Sequence, residues 1–159
     1  MKKQQTNPTP QNNPNPTDKL PEPLKTNFKQ YTFKCSPTIY QLKAAAALKL
    51  WKDRGYRDIT FDEPMPYGGK SVYVKVLVRK EDNTMIGVEC ASTLRLRRLS
   101  ARIELLRACL PQDSYIIAVF PETTGDCVTK ATNFADEVWL TGKNGTVNQM
   151  IFSTVFHRK

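Results

Sequence analysis

The run Val72-Tyr73-Val74-Lys75-Val76-Leu77-Val78 alternates with period two, and it limits what the surrounding chain can become. Successive side chains of an extended strand point to opposite faces, so the four valines share one face while Tyr73, Lys75 and Leu77 share the other. Glu81-Asp82-Asn83 then supply a turn, because short polar side chains hydrogen-bond their own backbone. A second run, over residues 84–91, places Ile86, Val88 and Cys90 on one face and Met85, Gly87, Glu89 and Ala91 on the other. A hairpin that joins the aliphatic faces leaves Lys75 and Glu89 together on the opposite one. A carboxylate in the middle of an apolar strand is costly to bury without a partner. Glu89 therefore asks for an explanation, and Lys75 is the first partner in reach.

The next segment, residues 94–110, reads as a basic amphipathic helix capped by Ser92 or Thr93. Leu99, Ile103, Leu106 and Leu110 form its buried stripe, and Arg95, Arg98 and Arg102 form a second stripe at i, i+3 and i+7. Guanidinium groups in register near a helix start suit phosphate oxygens, which they bind bidentately where the helix already favours anions. An ordinary solvated face is the competing reading of such a run. The helix carries five arginines against Glu104, which is +4, while residues 35–159 as a whole carry +5 of the +9 net charge. The surplus of the folded part is thus concentrated on one element, and acidic partners are favoured on electrostatic grounds.

Upstream, Ser36 and Pro37 mark a helix start that ends near Gly55, with Ile39, Leu42, Ala46 and Leu50 at helical spacing. Residues 56–61 read as a first strand. Residues 62–69, Asp-Glu-Pro-Met-Pro-Tyr-Gly-Gly, read as a loop because of their prolines and glycines. Downstream, residues 115–120 (YIIAVF) form a buried central strand, residues 128–135 are ambiguous or a short helix, and residues 138–140 form another strand. A hairpin turn over residues 142–145 leads into a last strand over residues 147–152. The expected architecture is α/β: a mixed central sheet flanked by helices, with the basic helix crossing between two central strands.

The segment VKVLVRKEDNTMIGVECAS resembles the core of the PD-(D/E)XK nuclease superfamily, whose restriction-endonuclease-like fold is shared by Holliday junction resolvases. That core has an Asp in a valine-rich strand, a hairpin, Glu-x-Lys on the next strand, and then a helix. The resemblance spans residues 36–140 in layout. It places the family's Glu on Glu89, its metal-binding Asp on Lys75 and its Lys on Ala91, so Glu89 alone matches the signature. The family's leading helix often carries an acidic residue, and residues 35–52 hold none. The resemblance thus implies a nuclease fold with Lys75 paired to Glu89 where a metal would sit.

Residues 1–27 are rich in Pro, Asn and Gln and nearly free of large apolar groups, so they cannot offset the entropy of ordering. They read as a disordered tail ahead of a single domain over residues 28–159. Residues 1–34 carry six lysines against Asp18 and Glu22, which makes the tail mildly basic. No apolar run approaches the ~20 residues that span a bilayer, and no hydrophobic stretch follows the first lysines as in a secretory signal. Cys35, Cys90, Cys109 and Cys127 lack paired zinc-site spacing and are expected as buried free thiols in the cytoplasm. His157 has no Ser or Cys nucleophile placed beside it, so it is not read as catalytic.

These features define three functional readings. The first is a nucleic-acid-binding protein, with DNA foremost, that has lost cleavage and needs no cofactor; Arg95, Arg98 and Arg102 contact phosphate, and Lys75 replaces the metal at Glu89. The second is an active endonuclease with a rearranged site, in which Glu89, Asp62 and Glu63 hold Mg2+ and Lys75 stabilises charge. The third is a protein-interaction module; a homodimer is compatible with any of the three.

Overall fold

The computed structural model describes residues 37–154. The tail over residues 1–27, its lead-in, Cys35, Ser36 and His157 lie outside the described residues. The chain runs α1 (Pro37–Lys52), β1 (Ile59–Tyr67), β2 (Lys70–Arg79), β3 (Met85–Cys90), α2 (Leu96–Cys109), β4 (Tyr115–Pro121), β5 (Glu137–Thr141) and β6 (Val147–Phe152). Two 3-10 helices, Glu122–Thr124 and Asp126–Asn133, join β4 to β5.

The strands form one six-stranded sheet in sequence order. β1, β2 and β3 pair antiparallel, β3–β4 and β4–β5 pair parallel, and β6 returns antiparallel on β5. Each face is covered. α1 packs Leu42, Ala46 and Leu50 against Val76, Val88, Ile117 and Trp139. On the other face, Leu99, Ile103 and Leu106 of α2 and Val128 and Ala131 of the 3-10 segment meet Leu77, Ile116, Ala118 and Val138. Both helices owe their docking to apolar stripes at helical spacing, so the expected mixed α/β sandwich is the observed one.

Gly87 lies under the end of α2: a Cβ there would come 2.8 Å from Leu110 Cδ1 and 3.4 Å from Ile116 Cδ1, so any larger residue requires those side-chain ends to move.

Three local expectations need correction. Residues 62–67 belong to β1 and are not a loop. β1 is an edge strand, and Pro64 and Pro66, two residues apart, direct their ring nitrogens to the same side of it. The ladder with β2 survives because that side is the open one. The four valines of β2 do not share one core either. Val76 and Val78 pack beneath α1, whereas Val72 and Val74 join the α2 core. β3 pairs with β2 only between Val76–Val88 and Arg79–Met85, so the rest of β2 runs with β1 alone. The change of layer falls at Lys75, opposite Asp62, where the β1–β2 ladder skips a rung and the Asp62 backbone is left-handed (φ 49°). The third correction concerns the cysteines: Cys90 is buried, but Cys109 is half-buried and Cys127 exposed, all as free thiols. Among the described residues, no helix is long and apolar enough to cross a membrane.

Candidate nucleic-acid interface

Where β2 leaves β3, a cleft of about 600 Å³ opens between the ribbon and the start of α2, beyond the carboxyl end of β3. Ligands of open α/β sheets characteristically bind outside the carboxyl ends of parallel strands. Glu89, Lys75, Arg102, Asp62, Tyr73, Arg95 and Arg98 all line it.

Glu89 forms the floor. It stands beside Ala118 in the parallel ladder, and its side chain is 9 % exposed. Continuing the Val76–Val88 register by one rung puts Lys75 opposite it, and Lys75 Nζ donates to Glu89 Oε2 at 3.1 Å. The other oxygen is also taken: Arg102 Nε donates to Glu89 Oε1 at 3.0 Å. Arg102 Nη2 further donates to the carbonyl of Tyr73, which ties α2 to the ribbon. Lys75 and Arg102 are 26 % and 24 % exposed, so this is a half-buried triad with two cations on one carboxylate.

A second ion pair stands beside it. Asp62 holds a left-handed backbone (φ 49°) at the one position where the β1–β2 ladder skips a rung, opposite Lys75. Its Oδ2 accepts from Lys43 Nζ of α1 at 2.6 Å, and Lys43 is 1 % exposed. Left-handed backbone in a non-glycine residue persists only where its surroundings hold it, and the Lys43 pair is such a restraint.

The arginine stripe divides. Arg102 is committed to Glu89 and Tyr73, whereas Arg95 and Arg98 are exposed and make no hydrogen bond or ion pair among the described residues. α2 begins later than expected. Arg95, not Ser92 or Thr93, is its N-cap, and no side chain caps the first turn. The cleft therefore receives open helix N–H groups together with two unpaired guanidiniums, a combination that attracts anions.

The residues anticipated as metal ligands separate. Asp62 and Glu89 share the cleft, but Glu63 turns to Arg79, whose Nη2 donates to its Oε2 at 3.2 Å. Among the described residues, no three His, Cys, Asp or Glu side chains gather where a metal ion could be held. Magnesium needs carboxylate oxygens that face it and are not already neutralised. Both oxygens of Glu89 and one of Asp62 accept from cations, so this donor set does not fit Mg2+. Cys90 borders the cleft, but burial, and then the Glu89 charge, push its thiol far above the usual range, so it offers no thiolate.

Lys43 went unread in the sequence, and Arg102 was read there as a phosphate contact only. A signal existed for both. Lys43 precedes the buried Ala47 by four and Leu50 by seven, and Arg102 lies three after Leu99 and four before Leu106. Those spacings put each cation at the margin of a buried stripe, where it reaches inward.

Among the solved structures that share the fold, two are similar over nearly their whole length. One is an XisH family protein from Nostoc punctiforme PCC 73102, 17% identical, with a TM-score of 0.50 over 70% of this chain and 98% of its own. The other is an fdxN element excision controlling factor protein from Anabaena variabilis, 14% identical, with a TM-score of 0.50 over 73% of this chain and 99% of its own. No protein-family model and no curated protein matches the chain. At these identities the likeness is one of fold, and that fold is restriction-endonuclease-like.

Proposed function

We propose that the protein binds nucleic acid through this cleft and does not cut it. The observation that carries the reading is Glu89, with Lys75 on one carboxylate oxygen and Arg102 on the other. In the resemblance drawn from the sequence, that place belongs to a metal ion. Cations built into the protein neutralise the carboxylate and leave the surplus positive charge to attract phosphate. Lys75 and Arg102 meet Glu89 in the cleft, Asp62 is neutralised by the buried Lys43 behind it, and Arg95 and Arg98 add two cations without partners among the described residues. Phosphate neutralised by such groups releases counterions, so binding must weaken steeply with salt. The excision-controlling role named for the Anabaena variabilis neighbour is a DNA transaction, which makes DNA the first nucleic acid to test.

The test is a titration of labelled DNA at several salt concentrations, paired with a cleavage assay in Mg2+ or Mn2+. Binding whose logarithm falls linearly with log salt, with no product formed, supports the reading; absence of salt-dependent binding rejects it. One observation favours a second reading, an active metal-dependent nuclease: Asp62 and Glu89 line the same cleft. Metal-dependent cutting that disappears in Glu89→Gln would establish that reading in place of the first.

A further inference from the structure

We infer that the cleft takes an unpaired nucleotide whose base stacks on Tyr73, so that single-stranded or splayed nucleic acid binds in preference to continuous duplex. This inference rests on the nucleic-acid reading and adds its substrate class.

Tyr73 is 56 % exposed, a large aromatic ring left in the open at the lip of a cleft whose other lining includes Arg95 and Arg98. Its backbone is held firmly. Tyr73 pairs with Pro64 in the β1–β2 ladder, and its carbonyl accepts from Arg102, which itself is anchored on Glu89. The ring is therefore carried on a fixed support at a cleft that Arg95 and Arg98, unpaired among the described residues, also line. Aromatic platforms next to positive charge are how proteins hold unstacked bases, since every base has a π-face and each nucleotide brings a phosphate. The cleft is of the size that small-molecule sites take, about 300–1,000 Å³. A nucleotide fits such a volume, whereas a base inside a duplex keeps both faces covered by its neighbours and offers none to Tyr73 unless it is extruded.

The experiment uses the full chain and three labelled DNAs: a single strand, a blunt duplex of the same sequence, and that duplex with a single-stranded overhang. The overhang carries 2-aminopurine, whose fluorescence falls on stacking. The single strand and the overhang should bind more tightly than the blunt duplex, with quenching on binding. Tyr73→Ala should lose the quenching and about 5- to 150-fold in affinity for the single strand, without changing the salt slope, because no charge is removed. Tyr73→Phe should keep both the affinity and the quenching. Tyr73 is exposed, so its variants should fold, which thermal melting checks. Equal affinity for duplex and single strand, or a Tyr73→Ala variant that binds and quenches as wild type does, would overturn the inference while the nucleic-acid reading stands. Failure of the wild type to bind any of the three DNAs would overturn both.

Discussion

Two cations on one carboxylate make the costs of removing each member unequal. Without Lys75, Glu89 keeps Arg102; without the Glu89 charge, Lys75 and Arg102 face each other with nothing between them. Glu89→Gln should therefore destabilise the protein by about 1–3 kcal/mol, the range for a lost charged partner at a half-buried site, and by more than Lys75→Met. The double variant should recover part of the Glu89→Gln loss, since it removes one of the stranded cations. Urea midpoints of the four proteins measure this. Equal single losses, or a double variant that is simply additive, would mean that the triad does not act as a unit. The Lys75–Glu89 contact was legible at this scale, because alternation along two strands and a short turn place those side chains on one face. Arg102 as a third member was not, since the rotation at which α2 docks depends on contacts with Leu77, Ile116 and Ala118 that lie far away in sequence.

At the scale of elements, the molecule is braced at the end of the sheet away from the cleft. Arg54, just after α1, donates from both Nη atoms to Glu137 at 2.8 and 2.7 Å, and Trp139 Nε1 donates to the same carboxylate at 2.8 Å. Asp136 accepts from the Ile116 amide at 2.8 Å and from Arg107 near the end of α2. Adjacent residues at the start of β5 thus tie down a helix from each layer. Glu137 is 0 % exposed, so Arg54→Ala should cost ~3–5 kcal/mol by stranding a buried charge, as read from denaturant unfolding. Burial alone would raise the Glu137 carboxyl, but hydrogen bonds from Arg54 and Trp139 and the Arg54 charge outweigh it, and the net effect is to hold it below its ordinary value of 4.5. A carboxylate depressed in the folded state contributes stability above its unfolded value, and that contribution is lost as pH falls through the lower folded one. The melting temperature should therefore drop steeply below about pH 4.5, and Glu137→Gln should start lower at neutral pH and fall less steeply there. An acid limb of unchanged steepness in Glu137→Gln would remove Glu137 from the account. Legibility differed among elements for a physical reason. β2 and β3 announce themselves by alternation in the sequence, and β4 by a continuous apolar run that is buried from Ile116 to Phe120. β1 did not, because Pro64 and Pro66 read as breakers until the strand is known to be an edge. The Arg54–Glu137 brace spans 83 residues, and no local pattern in the sequence points to it.

For the whole molecule, the layout puts the buried ionic brace and the open cationic cleft at opposite ends of the parallel strands, and the projecting ribbon and the uncapped start of α2 form the cleft's two sides. A net charge of +9 draws any polyanion from a distance, but specific contact must come from groups free to make it. Among the α2 arginines that line the cleft, Arg95 and Arg98 are such groups and Arg102 is not. This division yields a prediction that an undivided stripe would not. Replacing Arg95 and Arg98 together with Ala should leave the melting temperature nearly unchanged, since neither makes a described contact. It should also flatten the plot of log affinity against log salt by roughly 0.9 per lost contact on duplex DNA, or roughly 0.7 on a single strand. Arg102→Ala should do the reverse. It releases one oxygen of Glu89 and the carbonyl of Tyr73, so the protein should melt lower, while the salt slope measured where it is folded should change by much less than one contact. If Arg102→Ala flattened the slope as much as the loss of Arg95 or Arg98, the guanidinium would be leaving Glu89 to meet phosphate. The triad would then be a switch that the nucleic acid opens, and the carboxylate it uncovers would again be available to a metal ion.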